Sequence, residues 1–320
     1  MGDVAEKTER ILKRNSIIDT IFLRVSLIIS IGVFGVCIAL FAVLVQGSFL
    51  SIETFGFSFL FHSDWNPVTQ NFGGLSAIYG TLVTSFLALL LGVPIAFGTS
   101  YFITELAPSW LKTPLTILIE LLAIIPSIIL GMWGLFVFAP SLGVDIESWL
   151  NNALSSKFLI GNLFRGSHVG INILTAGFIL ALMIIPFITS IFKDAFDLVP
   201  KMIKESAYGL GATTWEVVWH VVLPYTKRQV IGGIMLGLGR ALGETMAVAF
   251  VIGNAHSFTI SLLMPGSTIS SVLANEFTEA VGDLYSSSLL YLALILSIIS
   301  SIILGISQWL LRGFKKKRNK

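Results

Sequence analysis

Residues 21–45 read IFLRVSLIISIGVFGVCIALFAVLV, with Arg24 as the one charge. At 1.5 Å per residue, a helix of this length reaches about 37 Å, more than the roughly 30 Å of a bilayer hydrocarbon core. The apolar residues run continuously instead of alternating, so a membrane helix is expected and a barrel strand is not. Five further stretches have the same character: 75–99, 115–139, 171–192, 231–253 and 289–311. The expectation is an all-α integral membrane protein with six transmembrane helices. Composition agrees. Of 320 residues, 55% are hydrophobic and only 12% are charged, against about 25% charged in a soluble domain. Disorder is excluded, because it requires low hydrophobicity and high net charge. A water-soluble globule would lack the polar surface to cover such a core. A net charge of +2 gives no footprint for nucleic acid.

The positive charges set a direction. Of the 20 Lys and Arg, all but Lys157, Arg165 and Arg240 fall in four segments. These are the N-terminal stretch through Arg24, the link holding Lys112, the link 193–229 and the C-terminal tail. The positive-inside rule places these segments, and so both termini, in the cytoplasm. Segments 47–74, 141–170 and 255–288 then face outward, and they are acidic through Glu53, Asp64, Asp145, Glu147, Glu276, Glu279 and Asp283. The first span is too long for a signal-peptide core and no small-residue cleavage site follows it closely, so it is expected to be retained. Cys37 is the single cysteine, which leaves no intrachain disulfide. His62, His168, His220 and His256 lack ligand spacing, and no metal site is expected.

The link 193–229 is polar enough to leave the membrane. It reads as a short helix over about 200–209, a break at Gly209 and Gly211, and a second helix over 214–222. Thr213 or Thr214 is a candidate N-cap, with Glu216 in the first turn, where the helix dipole favours an anion. Leu223-Pro224 is expected to stop this helix, because the residue before Pro is pushed out of the α region. Trp215, Val218, Trp219 and Val222 share one face. That stripe suits either the membrane interface, where Trp is favoured, or a docked partner.

Arg240 and Glu244 lie inside the fifth span, in the run GLGRALGETM of 237–246. Counted from Gly232, Arg240 sits about 12 Å deep. Such a placement costs at least about 2.5–3.5 kcal/mol, so the residue should face a bundle interior or a water-filled path. Glu244 at i+4 would share its face. One reading is a structural ion pair. The other is a transient anion site, since a guanidinium offers planar paired donors to an oxyanion. Gly233 with Gly237, and Gly239 with Gly243, have the spacing of close helix contacts. Their pattern, with no preceding strand, is not a dinucleotide fingerprint. Glu120 in the third span is a further buried carboxylate candidate, structural or in the pathway. No Gly-Lys dipeptide occurs, so the chain carries no P-loop of its own.

Glu205, Ser206 and Ala207, then Gly211, Val221, Leu223 and Pro224, resemble the cytoplasmic loop E-A-A-x3-G-x9-I-x-L-P of binding-protein-dependent ABC permeases. Ser206 stands for Ala and Val221 for Ile. The resemblance extends from about 75 to 280 and is specific to the phosphate-transporting members. It is carried by 76–86 (SAIYGTLVTSF), 104–108 (TELAP), 119–138 (IELLAIIPSIILGMWGLFVF), 204–215 (KESAYGLGATTW) and 231–249. It implies a type I importer fold and a loop that couples to an ATPase. The implied partners are a second, PstA-like permease subunit in a heterodimer, two PstB-like ATPase subunits and an extracytoplasmic PstS-like phosphate-binding protein. It implies that ATP and Mg bind the ATPase, and that this chain carries no cofactor. Arg240 and Glu244 map onto the family's phosphate pathway. The chain divides into 1–74, a transport core over 75–312 and a basic tail over 313–320, in a bacterial or archaeal cytoplasmic membrane. Three rival readings are the same machine carrying another oxyanion, an ion-coupled secondary transporter with Glu120, Arg240 and Glu244 as a relay, and a membrane scaffold. A secondary transporter needs no such loop, and a scaffold gains little from a buried Arg.

Overall fold

The computed structural model describes residues 2–155, 161–166 and 169–317, with side chains from 19 to 311 of these. Lys157, His168 and the last three residues of the basic tail lie outside the described residues.

Helix α1 (Gly2–Phe55) contains the first predicted span and leads through a 3-10 turn into a two-residue hairpin, β1 (Trp65–Asn66) paired antiparallel with β2 (Asn71–Phe72). The all-α expectation therefore holds apart from this hairpin. Helix α2 (Leu75–Tyr101) continues into a π-helical turn, Phe102–Leu106. Then follow α3 (Ser109–Ile124), α4 (Ser127–Trp133) with a π-helical extension through Gly143, α5 (Val144–Leu154) and α6 (Ile173–Asp197). The link 193–229 forms α7 (Lys201–Gly209) and α8 (Thr214–Val217) with a π segment, Val218–Val222. The chain ends with α9 (Leu223–Leu242), α10 (Met246–Val251), α11 (Ile269–Glu276) and α12 (Asp283–Lys317).

Among the described residues, five helical stretches are long and apolar enough to cross a membrane. Two predicted spans are broken. Residues 115–139 are interrupted where Ile125 (φ −56°, ψ 126°) leaves the helical region. The cause is Pro126, which clashes with a helical predecessor. The long apolar stretch here is Ser127–Leu154, displaced towards the C-terminus from the expected position. Residues 231–253 split at Gly243–Thr245 into α9 and the short α10.

Burial ranks the helices. In α6, 67% of the most apolar window is buried, whereas none of the corresponding window of α1 is. Helix α6 is thus the central post and α1 lies on the rim of the subunit. Side chains of Ile184, Ile188, Phe192 and Phe196 on α6 fill the main core. Small residues on its neighbours admit them. A Cβ added at Gly237 of α9 would lie 2.6 Å from Ile188, and one at Gly233 would lie 2.9 Å from Ile191. These two glycines behave as the spacing predicts. Gly239 and Gly243 do not, because a Cβ there meets no neighbouring helix. Helix α1 docks only near its end, where Ser51 N–H donates to Ser287 Oγ of α12 at 3.0 Å.

Glu147, read above as one of several outer-loop acids, is 1% exposed. Its carboxylate accepts from Asn172 Nδ2 at 2.6 Å, Gly170 N–H at 3.0 Å and Thr175 Oγ1 at 3.4 Å. Asn172 in turn caps α6, accepting from Thr175 N–H at 3.0 Å. Glu147 therefore pins α5 to the start of the central post. On the same side, Glu276 accepts from Trp65 Nε1 and Tyr285 OH, each at 2.7 Å, and lies 2.7 Å from His256 Nε2. This cluster joins the hairpin, the 255–268 loop, α11 and α12.

Replacing Glu147 by Ala leaves several buried donors unpaired, each worth about 1–3 kcal/mol. We expect a loss of roughly 2–4 kcal/mol in detergent unfolding, with Glu147→Gln milder. Burial pushes the Glu276 carboxyl up, but the hydrogen bonds and charge of His256, with bonds from Tyr285 and Trp65, outweigh it and hold the group below the ordinary range. A lowered carboxyl contributes stability above its unfolded value and loses it as pH falls through the folded one. The stability gap between wild type and Glu276→Gln should therefore hold above about pH 5 and narrow as pH falls below it, as read by thermal unfolding.

Candidate substrate pathway and coupling surface

Helix α7 has no fully buried residue. Glu205 and Ser206 point outward, with Met202 and Leu210 77% and 91% exposed. Lys204 and Ala207 turn inward. The helix ends in a Schellman motif: Ala212 N–H donates to Ala207 O at 3.1 Å and Gly211 N–H to Tyr208 O at 2.9 Å. Gly211 sits at φ +87°, the left-handed conformation that this cap requires. Its Cβ position is open space, so backbone conformation, not crowding, demands the glycine.

The next helix starts with a capping box. Thr213 Oγ1 accepts from Glu216 N–H at 3.4 Å, and Glu216 Oε2 accepts from Thr213 N–H at 2.8 Å. The Thr213 backbone N–H, then its hydroxyl, holds the Glu216 carboxyl below its usual value. Of the two candidates, Thr213 is the cap. The expected stop at Leu223-Pro224 does not occur. The π segment widens the helix just before Pro224, which then occupies the first turn of α9, where its missing N–H costs little. The Trp215/Trp219 stripe is partly covered, with the two indoles still 55% and 44% exposed. Val218 and Val222 are fully buried, Trp219 meets Phe97 at 6.1 Å and Trp215 meets Tyr101 at 6.2 Å between ring centroids. This face packs onto α2. What remains open is a groove of about 430 Å³ between α7 and the following helix. Ala207, Gly211 and Val221 of the motif line it, together with Leu210, Glu216 and His220. Leu223 is half-buried, and Pro224 is exposed outside that lining.

At the other candidate site, Arg240 is exposed near the end of α9. Its guanidinium carbon lies 5.4 Å from the Phe187 ring centroid, a cation–π contact with α6. Glu244 does not pair with it. Among the described residues no carboxylate is within ion-pair distance of Arg240. The i, i+4 expectation fails because α9 ends at Leu242 and Glu244 falls in the break. There Glu244 Oε1 accepts from Ala247 N–H at 3.1 Å, so it caps α10. Glu120 lies on α3, a helix with no fully buried residue within this chain, and its side chain is open on the surface of the single subunit. Arg240 shares an open strip with Leu236, Gly239 and Gly243. Lys204 and Glu105 escaped the sequence reading as a pair; a charge in each of 104–108 and 204–215 was the available signal.

A bundle of apolar helices with a grooved polar link and an open strip around one arginine suits an importer permease, and the comparisons with known proteins agree. The chain belongs to the family of binding-protein-dependent transport system inner membrane components, whose model matches residues 88–316. Its fold is that of type I ABC importer permeases. It aligns with a chain of a bacterial alginate ABC transporter, solved with an alginate pentasaccharide-bound periplasmic protein. The TM-score is 0.60, over 96% of this chain and 98% of that one, at 19% identity. It is 53% identical over 304 residues to the phosphate transport system permease protein PstC of Pasteurella multocida, covering 95% of each chain. It is 55% identical over 277 residues to PstC of Mesorhizobium japonicum, covering 87% of this chain and 84% of that one.

The Gly211 turn is testable by itself. A left-handed residue with a Cβ costs about 1–2 kcal/mol, and Asn tolerates the conformation best. Amide exchange in α7 and its cap should accelerate in the order Gly211→Asn, Gly211→Ala, Gly211→Val, by about 5- to 30-fold for Ala. Equal protection in all three would show that the cap does not hold the helix.

Proposed function

We propose that this chain is a permease subunit of an ATP-driven importer that carries inorganic phosphate into the cell by alternating access. The observation that carries the reading is the identity of about half to PstC proteins over nearly the full length of both chains. The chain pairs with a PstA-like subunit across the open strip that holds Leu236, Gly239, Arg240 and Gly243. Two PstB-like ATPases bind and hydrolyse ATP with Mg, and their grip is on the exposed face of α7 and the adjoining groove. A PstS-like protein delivers phosphate to the acidic outer loops. Both termini lie in the cytoplasm of a bacterial or archaeal cell, and the chain sits in the cytoplasmic membrane.

The chemistry of Arg240 supports the reading. Its guanidinium is held from one side by Phe187 and is not spent on a carboxylate. Planar donors facing an open strip match an oxyanion. Gly239 and Gly243 keep the space beside it clear. Glu244 supports the site indirectly, by capping α10 next to the break. An ion-coupled relay is less well supported, because Glu120 and Glu244 make no contact with Arg240 and the coupling loop would have no use.

ATP-dependent uptake of labelled phosphate, in vesicles holding this chain and its three partners, tests the reading. Arg240→Ala should lower uptake by about 10- to 100-fold, the worth of one charge-assisted contact, while the complex still assembles. Glu244→Gln, which keeps an acceptor for Ala247 N–H, should retain most of it. Sulfate or molybdate competing as well as unlabelled phosphate would reassign the substrate to another oxyanion. Undiminished uptake by Arg240→Ala would remove Arg240 from the pathway.

A further inference from the structure

Helix α7 presents most of its surface to solvent and has no fully buried residue. Its exposed side is the ATPase surface proposed above, so something must tie its inward side to the spans. One charged side chain does this. Lys204 Nζ lies 2.5 Å from Glu105 Oε1, with the two side chains only 14% and 8% exposed. The same ammonium donates to Phe196 O at 3.2 Å. Three elements therefore meet on one atom: α7, the π turn at the end of α2, and the last turn of α6. The Phe196 carbonyl sits in the last turn of α6, where it also accepts from Val199 N–H at 3.3 Å, and a cation there is favoured by the helix dipole. The π turn itself is held from its far side, where Lys112 Nζ donates to Thr104 O at 2.6 Å.

Both helices that Lys204 reaches run to the other candidate site or beyond it. Helix α6 carries Phe187, which supports Arg240. Helix α2 reaches the opposite end of the molecule, where Thr81 Oγ1 accepts from Ile269 N–H at the start of α11, at 2.9 Å. A displacement of α7 that keeps this pair intact moves both helices. One that breaks the pair leaves α7 attached through its packing on α8 and the π segment, and through the chain itself.

We propose that the Lys204–Glu105 pair is the positioning contact through which movement of the coupling helix reaches α2 and α6. The inference rests on the importer reading given above. Lys204 is then as necessary to coupling as the outward-facing Glu205 beside it, but from the opposite face of the helix.

The test uses the complete four-component complex in vesicles, with Lys204→Met, Glu105→Gln, Lys204→Arg and the exchanged pair Lys204→Glu/Glu105→Lys. ATPase co-purification and thermal stability report assembly. Basal ATPase, its stimulation by the loaded binding protein, and phosphate moved per ATP report coupling. In Lys204→Met and Glu105→Gln, assembly and basal ATPase should be kept, while stimulation and phosphate per ATP fall by about tenfold, within the usual range of a coupling free energy. Lys204→Arg should stay near wild type, and the exchanged pair should recover part of the loss. Unchanged phosphate per ATP in the single variants overturns the proposal. So does a parallel loss of assembly and transport, which marks the pair as purely structural. Wild-type complex that shows stimulation but moves no phosphate counts against the substrate reading and leaves the coupling arm intact.

Discussion

Inside a hydrocarbon layer a backbone amide has no water to bond, so each N–H and C=O that leaves a helix must find a partner in the protein. That constraint shapes what surrounds the two interruptions in this bundle. The break at Ile125–Pro126 starts α4, and the break at Gly243–Thr245 starts α10. The two short helices then pack on each other: a Cβ at Gly131 of α4 would lie 2.8 Å from the Cα of Ala247 in α10. The second break also needs an acceptor for a freed amide, and Glu244 supplies it to Ala247. A carboxylate that looks like the counter-ion of Arg240 is thus engaged by the backbone. The guanidinium, one turn earlier, is left to Phe187 and to whatever enters the open strip.

Helix α6 sets the positions of the rest. It is the most buried of the long apolar helices, and its neighbours reach it through missing side chains, at Gly92 on α2 and at Gly233 and Gly237 on α9. Its start is locked by Asn172 and Glu147, and its end meets Lys204. Close packing of this kind is bistable and resists continuous deformation. Forces applied at one end of such a post reach the other as rotation or translation of whole helices.

Much of the bundle was legible in the apolar runs, because hydropathy adds along the chain and burial in lipid rewards the sum. What hydropathy does not register is a break. The rule that a residue before proline leaves the helix was applied at Leu223-Pro224, where it fails, and was equally available at Ile125-Pro126, where it holds. The difference lies in the preceding turn. At Pro224 a π segment absorbs the ring and the helix passes through, whereas at Pro126 the chain turns out and restarts at Ser127. The i, i+4 pairing of Arg240 and Glu244 presumed an unbroken helix and failed with it. Glu120 was placed correctly on a helix, but a single chain does not tell its inward face from the face reserved for another subunit. Glu147 sat among outer-loop acids that look alike in sequence, and only the fold brings Gly170 and Asn172 to it.

The coupling motif was legible as spacing, and the structure supplies its physics. Gly211 closes a Schellman cap, so the chain reverses and lays the second helix beside the first. Ala207 and Val221, far apart in sequence, then line one groove. The small residue at Ala207 does more than permit a partner's approach, since it also turns inward against the protein's own core. The Trp215/Trp219 face meets Phe97 and Tyr101 of α2 on one side and stays open on the other, where it suits a membrane interface. The loop is therefore clasped to the spans by aromatic contacts on one helix and an ion pair on the other. Aromatic pairs have more than one favourable geometry, offset-stacked or edge-to-face, whereas a short, dehydrated ion pair holds one donor to one acceptor. In the proposed coupling, a push on the exposed face of α7 therefore reaches α2 and α6 through Lys204 as well as through the apolar contacts.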